Sequence, residues 1–431
     1  MFRAVLSLVV VIGLGRAAPA QDSMPSMPDM PDMHHHVATF VDATLQRTTG
    51  GTAAQPVSTP EHMLMKNVGG WTLMLHGVAF LTEQQQSDPR GADKLFSTNW
   101  FMPMAQHKLA AGQLTLRTML SFEPATVTGR YYPELFQVGE TAFGRPVVDG
   151  QHPHDFIMEV AALYDFKLSE HALLSLYAAP VGDPSLGPLA YPHRSSASED
   201  PLATLGHHMQ DSTHISDDVI TLGITYKKLR VEASGFHGRE PDEFRWNIDQ
   251  GRIDSWSGRL TVNPGRNWSA QYSAGYLTSP EQLSPGDDLL RMTASLMYNR
   301  PLPRGNWAST LVWGRNSAQT CDHLVTNSYL AESTLRFLER NYVWGRIENV
   351  DRTNELLLAG MPQPPNFAEQ SLGRVQAYTA GYERDFKLIP YLSTGLGGQV
   401  TLYGVPSSLQ PSYGSHPAGV ALFVRVRAAT R

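Results

Sequence analysis

The chain has one cysteine, Cys321, in 431 residues, so an intramolecular disulfide is excluded and stability must come from size or surroundings. It has no basic excess either: the formal net charge of -6 leaves no electrostatic footprint for nucleic acid. Helical spacing of apolar residues is nearly absent past residue 70, and after residue 20 no apolar run approaches a membrane-spanning helix. A G-x-S-x-G nucleophile elbow is lacking as well. These absences set aside disulfide-stapled domains, nucleic-acid binders and helical membrane proteins.

The first segment present is an export signal. Arg3, an apolar run from Ala4 to Leu14 and the small-residue site Ala18-Pro19-Ala20 predict a secretory signal peptide over 1–20, cleaved after Ala20. The run is shorter than the roughly 20 residues a spanning helix needs. Next comes "MPSMPDMPDMHHH", with Met24, Met27, Met30 and Met33 at every third position, followed by His34, His35 and His36. Pro25, Pro28 and Pro31 keep this stretch extended. Residues 21–68 are therefore expected to be a disordered, Met/His/Pro-rich periplasmic leader. Thioether and imidazole together suit copper, Cu(I) through methionine and Cu(II) through histidine. Nothing points to an organic cofactor.

From residue 69 the pattern is alternation with period two. In "NWSAQYSAGY", Trp268, Ala270, Tyr272, Ala274 and Tyr276 share one face, and Ser269, Gln271, Ser273 and Gly275 the other. "VITLGITY" and "LRVEASGF" repeat it. A soluble sandwich alternates in the same way, so connection lengths must decide. Sixteen strands are expected, at 70–80, 97–108, 112–122, 156–166, 171–179, 218–227, 229–237, 255–263, 267–277, 289–299, 306–314, 328–338, 340–350, 373–385, 391–403 and 418–427. Short links such as "AAG", "KLSE" and "PGR" alternate with long ones such as 123–155, 180–217 and 351–372.

This rhythm predicts an all-β fold: a transmembrane up-and-down antiparallel β-barrel of about 16 strands, with tight periplasmic turns and long extracellular loops. It places the chain in the outer membrane of a Gram-negative bacterium, with lipid as a partner and both barrel ends in the periplasm. Trp71, Tyr226, Trp268, Tyr276, Tyr298, Trp307, Trp313, Tyr342 and Trp344 are candidates for interfacial girdles. The last strand departs from the common pattern, since Phe423 stands eight residues before the end.

The long loops carry a second set of metal-ligand candidates: His152 and His154 beside Asp155, then His193, Glu199, His207, His208, Met209, Asp211 and His214. His62, Met63, Met65, Met74 and His76 extend the same composition toward the first strand. The segments "GQHPHDF" and "AYPHRSSASEDPLATLGHHMQDSTHIS" resemble a family of uncharacterised bacterial outer-membrane proteins, and that resemblance implies a barrel without implying an activity. The Met/His-rich leader is similar in layout to copper-resistance protein B, a resemblance that covers the leader and the barrel plan and implies metal resistance.

Two functions follow as expectations. The first is a barrel that binds or handles copper at the cell envelope. The alternative is a porin-like passive channel for small solutes, with 180–217 folded inward as a constriction; a homotrimer is compatible with either. Hydrolase constellations can be drawn from Asp211, Ser212 and His214, or from His193, Ser195 and Ser196, but proximity in sequence supplies no hydrogen-bond geometry, and no enzyme is expected. Loops 123–155 and 180–217 are expected to be open to protease on intact cells.

Overall fold

A computed structural model describes residues 39–87, 89–320 and 323–429. After a short helix α1 (Phe40–Gln46) come β1 (Leu64–Val68), β2 (Trp71–Gln86), β3 (Lys94–Leu109), β4 (Gly112–Leu120), β5 (Tyr132–Ala142), β6 (Arg145–Gln151) and β7 (Ile157–Ser169). Then follow β8 (Ala172–Gly182), β9 (Ser216–Tyr226), β10 (Leu229–Phe236), β11 (Ser255–Gly265), β12 (Trp268–Leu277) and β13 (Leu289–Leu302). The chain ends with β14 (Gly305–Ala318), β15 (Val325–Phe337), β16 (Asn341–Thr353), β17 (Ser371–Ile389), β18 (Leu392–Gly404) and β19 (Ala418–Ala428).

Sixteen of these strands, β2 to β4 and β7 to β19, pair antiparallel in succession, with β4 beside β7 and β19 closing on β2. The expected barrel is therefore the observed one. Two-residue turns such as 110–111, 227–228 and 390–391 use left-handed backbone at Ala110, Lys227 and Tyr391, the conformation that tight hairpins need. Three strands were not expected. β1 forms a hairpin with the start of β2, and β5 and β6 pair with each other inside the long segment 121–156.

The burial pattern decides between sandwich and membrane barrel. Along β9, Ile220, Leu222, Ile224 and Tyr226 are about half exposed, whereas Thr221 and Thr225 are buried. Apolar side chains face outward and polar ones inward, the reverse of a water-soluble sheet. Aromatic contacts cluster at strand ends: Trp268, Tyr298 and Trp307 form a ladder with centroids 4.6 and 5.5 Å apart. Tyr342 and Trp344 are corrected out of the girdles. Both are buried in the lumen, where Tyr342 Oη bonds Asp385 and Trp344 Nε1 bonds Gln399.

The interior is charged, and many of its charges are paired. Arg117 meets Glu159 at 2.7 Å, Arg230 and Arg259 both meet Glu232 at 3.0 Å, and Arg425 meets Glu383 at 2.8 Å. A buried cation needs such a partner, because desolvation would otherwise oppose it by several kcal/mol.

Those same side chains hold chain segments inside the barrel. α1 is capped by Thr39, whose Oγ1 accepts from Asp42 N. Beyond it, Arg47 pairs with Asp165, and Arg117 donates to the carbonyls of Arg47, Thr49 and Gly51. Arg259 donates to Thr52 at 2.8 Å, Asn263 to Gln55 O at 3.1 Å and Asn299 to Ser58 O at 2.6 Å. Residues 45–58 thus cross the lumen from the β3/β4 wall to β13. The expectation that 21–68 is disordered is corrected over 39–68: the inward donors satisfy a backbone that has no hydrophobic period of its own. The barrel's first strand begins at Trp71, close to the expected start at 69, with β1 folded onto it as a hairpin.

The largest loops also turn inward, as expected of 180–217. Arg194 pairs with Glu332 on β15, Asp200 with Arg346 on β16, and Glu199 with Arg427 on β19. Leu135 and Phe136 of β5 pack against Val350, Val375, Tyr403 and Tyr413. The expectation that these two loops are open to protease is corrected, since their side chains are largely buried. Among the described residues no helix is long and apolar enough to cross a membrane.

Candidate metal site in the barrel mouth

The two inward loops bring five histidines together. The helical turn His207–Gln210 is followed by the turn Ser212–His214, with Asp211 between them. The Asp211 carboxylate accepts from Tyr191 N at 2.9 Å and Arg194 Nη1 at 2.7 Å, and holds His207 Nδ1 at 2.7 Å. Its carbonyl accepts from His214 Nδ1 at 2.8 Å. Burial alone would raise the Asp211 carboxyl, but Arg194 and His207 hold it well below the usual carboxylate range.

From the other loop, His152 Nδ1 lies 3.0 Å from Pro153 O, and His154 Nδ1 lies 3.0 Å from Glu123 Oε2. Four of the five rings therefore commit Nδ1 to a carbonyl or carboxylate, which leaves Nε2 as the lone-pair nitrogen. This is the arrangement that orients a metal-binding imidazole, the second nitrogen donating to an outer acceptor.

The rings form a continuous cluster. Centroids are 5.5 Å apart for His152 and His208, 5.2 Å for His207 and His208, and 5.3 Å for both His207 with His214 and His154 with His214. One ligand atom each from Glu140, His152 and His208 falls within 4.8 Å of the others. His208 Nε2 and His214 Nε2 are buried without a hydrogen-bond partner among the described residues.

Burial pushes His152, His208 and His214 well below the ordinary imidazole value, helped by Arg245 at His152 and by His207 at the other two. They are free bases at neutral pH. His154 differs: burial pulls it down, but the Glu123 carboxylate outweighs this and raises it. Burial also raises Glu140, although Arg245 pairs with it, and Glu140 Oε1 stands 3.0 Å from His152 Nε2. A proton or a cation satisfies both atoms there.

Adjoining this triad is a small cleft, a vestibule of about 100 Å³, lined by Glu140, Glu240, Glu281, Asp351, Glu355 and Glu369, together with His208 and Arg352. Burial, together with the neighbouring carboxyls, raises Glu281 well above its ordinary value and Glu355 to about 8, so these crowded groups hold protons that a cation would displace.

Of the expected ligands, His152, His154, His207, His208 and His214 converge. His193 does not join them: its ring packs on Trp100 at 4.3 Å and its Nε2 lies 3.2 Å from Met119 Sδ. Met209 lines the vestibule but is buried in an apolar cluster with Leu135 and Leu205. Met24, Met27, Met30, Met33, His34, His35 and His36 lie outside the described residues. Sequence reasoning missed Glu140, Glu123, Tyr191 and Arg245, which carry no metal-ligand spacing. The hydrolase constellations do not assemble. Ser212 Oγ accepts from Arg291 and donates to Glu240, and Ser196 Oγ bonds Thr310 and Glu332.

A closed sixteen-strand sheet, apolar outside and charged inside, defines a porin-like β-barrel of the Gram-negative outer membrane. No protein family matches the chain, and no curated protein does, so the similarity of the leader to copper-resistance protein B gains no support. Solved structures that align with it include an anion-selective porin from Comamonas acidovorans, at 12% identity over 83% of this chain and 99% of that one, with TM-score 0.48. Salmonella typhi OmpF, in complex with daunomycin, aligns at 10% identity over 84% and 100%, with TM-score 0.49. OmpT of Vibrio cholerae aligns at 7% identity over 84% and 99%, with TM-score 0.44.

Proposed function

We propose that this porin-like barrel captures a transition-metal cation at its mouth, with Glu140, His152 and His208 as ligands and the acidic vestibule as the approach. The observation that carries this reading is the convergence of one ligand atom each from Glu140, His152 and His208 within 4.8 Å, with His152 Nδ1 already committed to Pro153 O and His208 Nε2 buried without a hydrogen-bond partner among the described residues. Imidazole and carboxylate together follow the order in which Cu(II) binds most tightly among divalent first-row ions. Copper is therefore the ion first tested.

The sixteen-strand barrel also supports a second reading, a passive channel for small solutes, because a barrel of that size has room for water. Residues 39–63 and 183–215 occupy that room, which favours capture over free diffusion.

Calorimetric titration of the full chain in detergent with Cu(II) separates the two. The double variant His152→Ala/His208→Ala is expected to lower affinity at the mouth at least tenfold. Unchanged binding in that variant, together with rapid sugar uptake by proteoliposomes of the parent, would establish the passive channel instead.

A further inference from the structure

Below the histidine cluster the lumen changes character. Met63, Met74, Met102, Met104, Met119 and Met158 are all buried in one group with Trp100, where a barrel of this type carries polar side chains. Met74 stands opposite Met104, and His76 opposite Met102, on the inward faces of β2 and β3. Directly opposed side chains have Cβ atoms about 4.5 to 5.5 Å apart, so thioethers and imidazole share one small volume. Methionine also serves as an adaptable filler, and six of them would seat the lumen segment without any ligand.

Two imidazoles argue for more than filling. His193 Nε2 lies 3.2 Å from Met119 Sδ. A nitrogen and a sulfur sharing one ion would stand roughly 3 to 4 Å apart, given bonds of about 2.0 and 2.3 Å. His76 Nε2 is buried without a hydrogen-bond partner among the described residues, and the Glu61 carboxylate is 3.9 Å away. The Trp100 ring is tilted against both histidines, with centroids 6.4 Å from His76 and 4.3 Å from His193, and an indole nearby attracts a cation. Gly50 of the lumen segment closes the group: a Cβ there would sit 3.5 Å from His193 Nε2 and 3.9 Å from Met119 Cε.

We infer that Met74, Met102, Met104 and Met119, with His76 and His193, form a separate site for a soft monovalent cation, Cu(I) or Ag(I). Thioether donors select that class over Mg²⁺ or Ca²⁺. This site shares no residue with the mouth triad and stands independently of it.

The test uses the full chain with methionine methyl groups labelled with ¹³C, titrated with Ag(I) in detergent. Resonances assigned by single substitution to Met104 and Met119 are expected to shift at the first equivalents, while Met361, which is exposed, shifts only in excess. The volume-conserving double variant Met104→Leu/Met119→Leu should lower Ag(I) affinity at least tenfold and leave heat-modifiable migration unchanged. Glu140→Gln/His208→Ala should leave both methyl shifts intact, so that failure of the mouth site is read separately. Unmoved Met104 and Met119 resonances at saturating Ag(I), or unchanged affinity in the leucine variant, would overturn the inference.

Discussion

Asp211 shows how much one buried carboxylate can organise. It pairs with Arg194 and His207, caps Tyr191 N, and its own peptide carbonyl holds His214. Asp211→Asn leaves the Arg194 guanidinium with Glu332 alone and His207 without its charged acceptor. Breaking a buried pair in this way costs about 3 to 5 kcal/mol. The variant should therefore unfold at lower urea concentration in lipid vesicles, and its metal affinity should fall through disorder of the two rings.

Asp155 predicts a pH dependence. Burial pushes its carboxyl up to about 6, against the opposing pull of Arg245. The folded protein then keeps a proton that the unfolded chain releases, so the contribution to stability falls as pH rises from about 4 to 6 and is fully lost above that window. The shift sets a ceiling of about 3 kcal/mol. Asp155→Asn should be more stable than the parent by a margin that grows from pH 4 to 6 and then levels off, as read by urea midpoints. A margin independent of pH would refute the assignment.

At the scale of elements, the segment between α1 and β1 crosses the lumen. Arg117 alone donates to three of its carbonyls and pairs with Glu159. Arg117→Ala should loosen that segment without opening the sheet, because strand pairing does not pass through it. Single-channel conductance in planar bilayers is expected to be small for the parent and to rise severalfold in the variant. Equal conductance would place the barrier in 183–215. The strands themselves were legible: their alternation lies within ten or so neighbouring residues. The lumen segment was not, because "RTTGGTAAQP" has no period and its partners lie as far along the chain as Arg259 and Asn299.

For the whole molecule, closure on an even number of strands puts both barrel ends on the side of the short turns. In a Cys321→Ser background, a membrane-impermeant thiol reagent should label Leu357→Cys on intact cells, and Lys228→Cys only after the outer membrane is permeabilised. Added protease should cut within 237–254, where Phe244 and Trp246 are exposed, and spare 183–215. Cleavage in the reverse order would mean that the inward loop is outside.

Period-two alternation and the rhythm of connections determined, without further help, that this chain makes an outer-membrane barrel of sixteen strands. Both are local properties, and each hairpin carries its own register. The histidine-rich loops also showed their chemistry in their composition. Tertiary structure alone decided that His152, His208 and Glu140 meet while His193 turns away to Met119. It also decided that a polar stretch at 39–63 fills the lumen. The reason is that barrel closure brings strands far apart in sequence to face one another across an enclosed space, and buried charges and lone pairs there take whichever partner that geometry supplies.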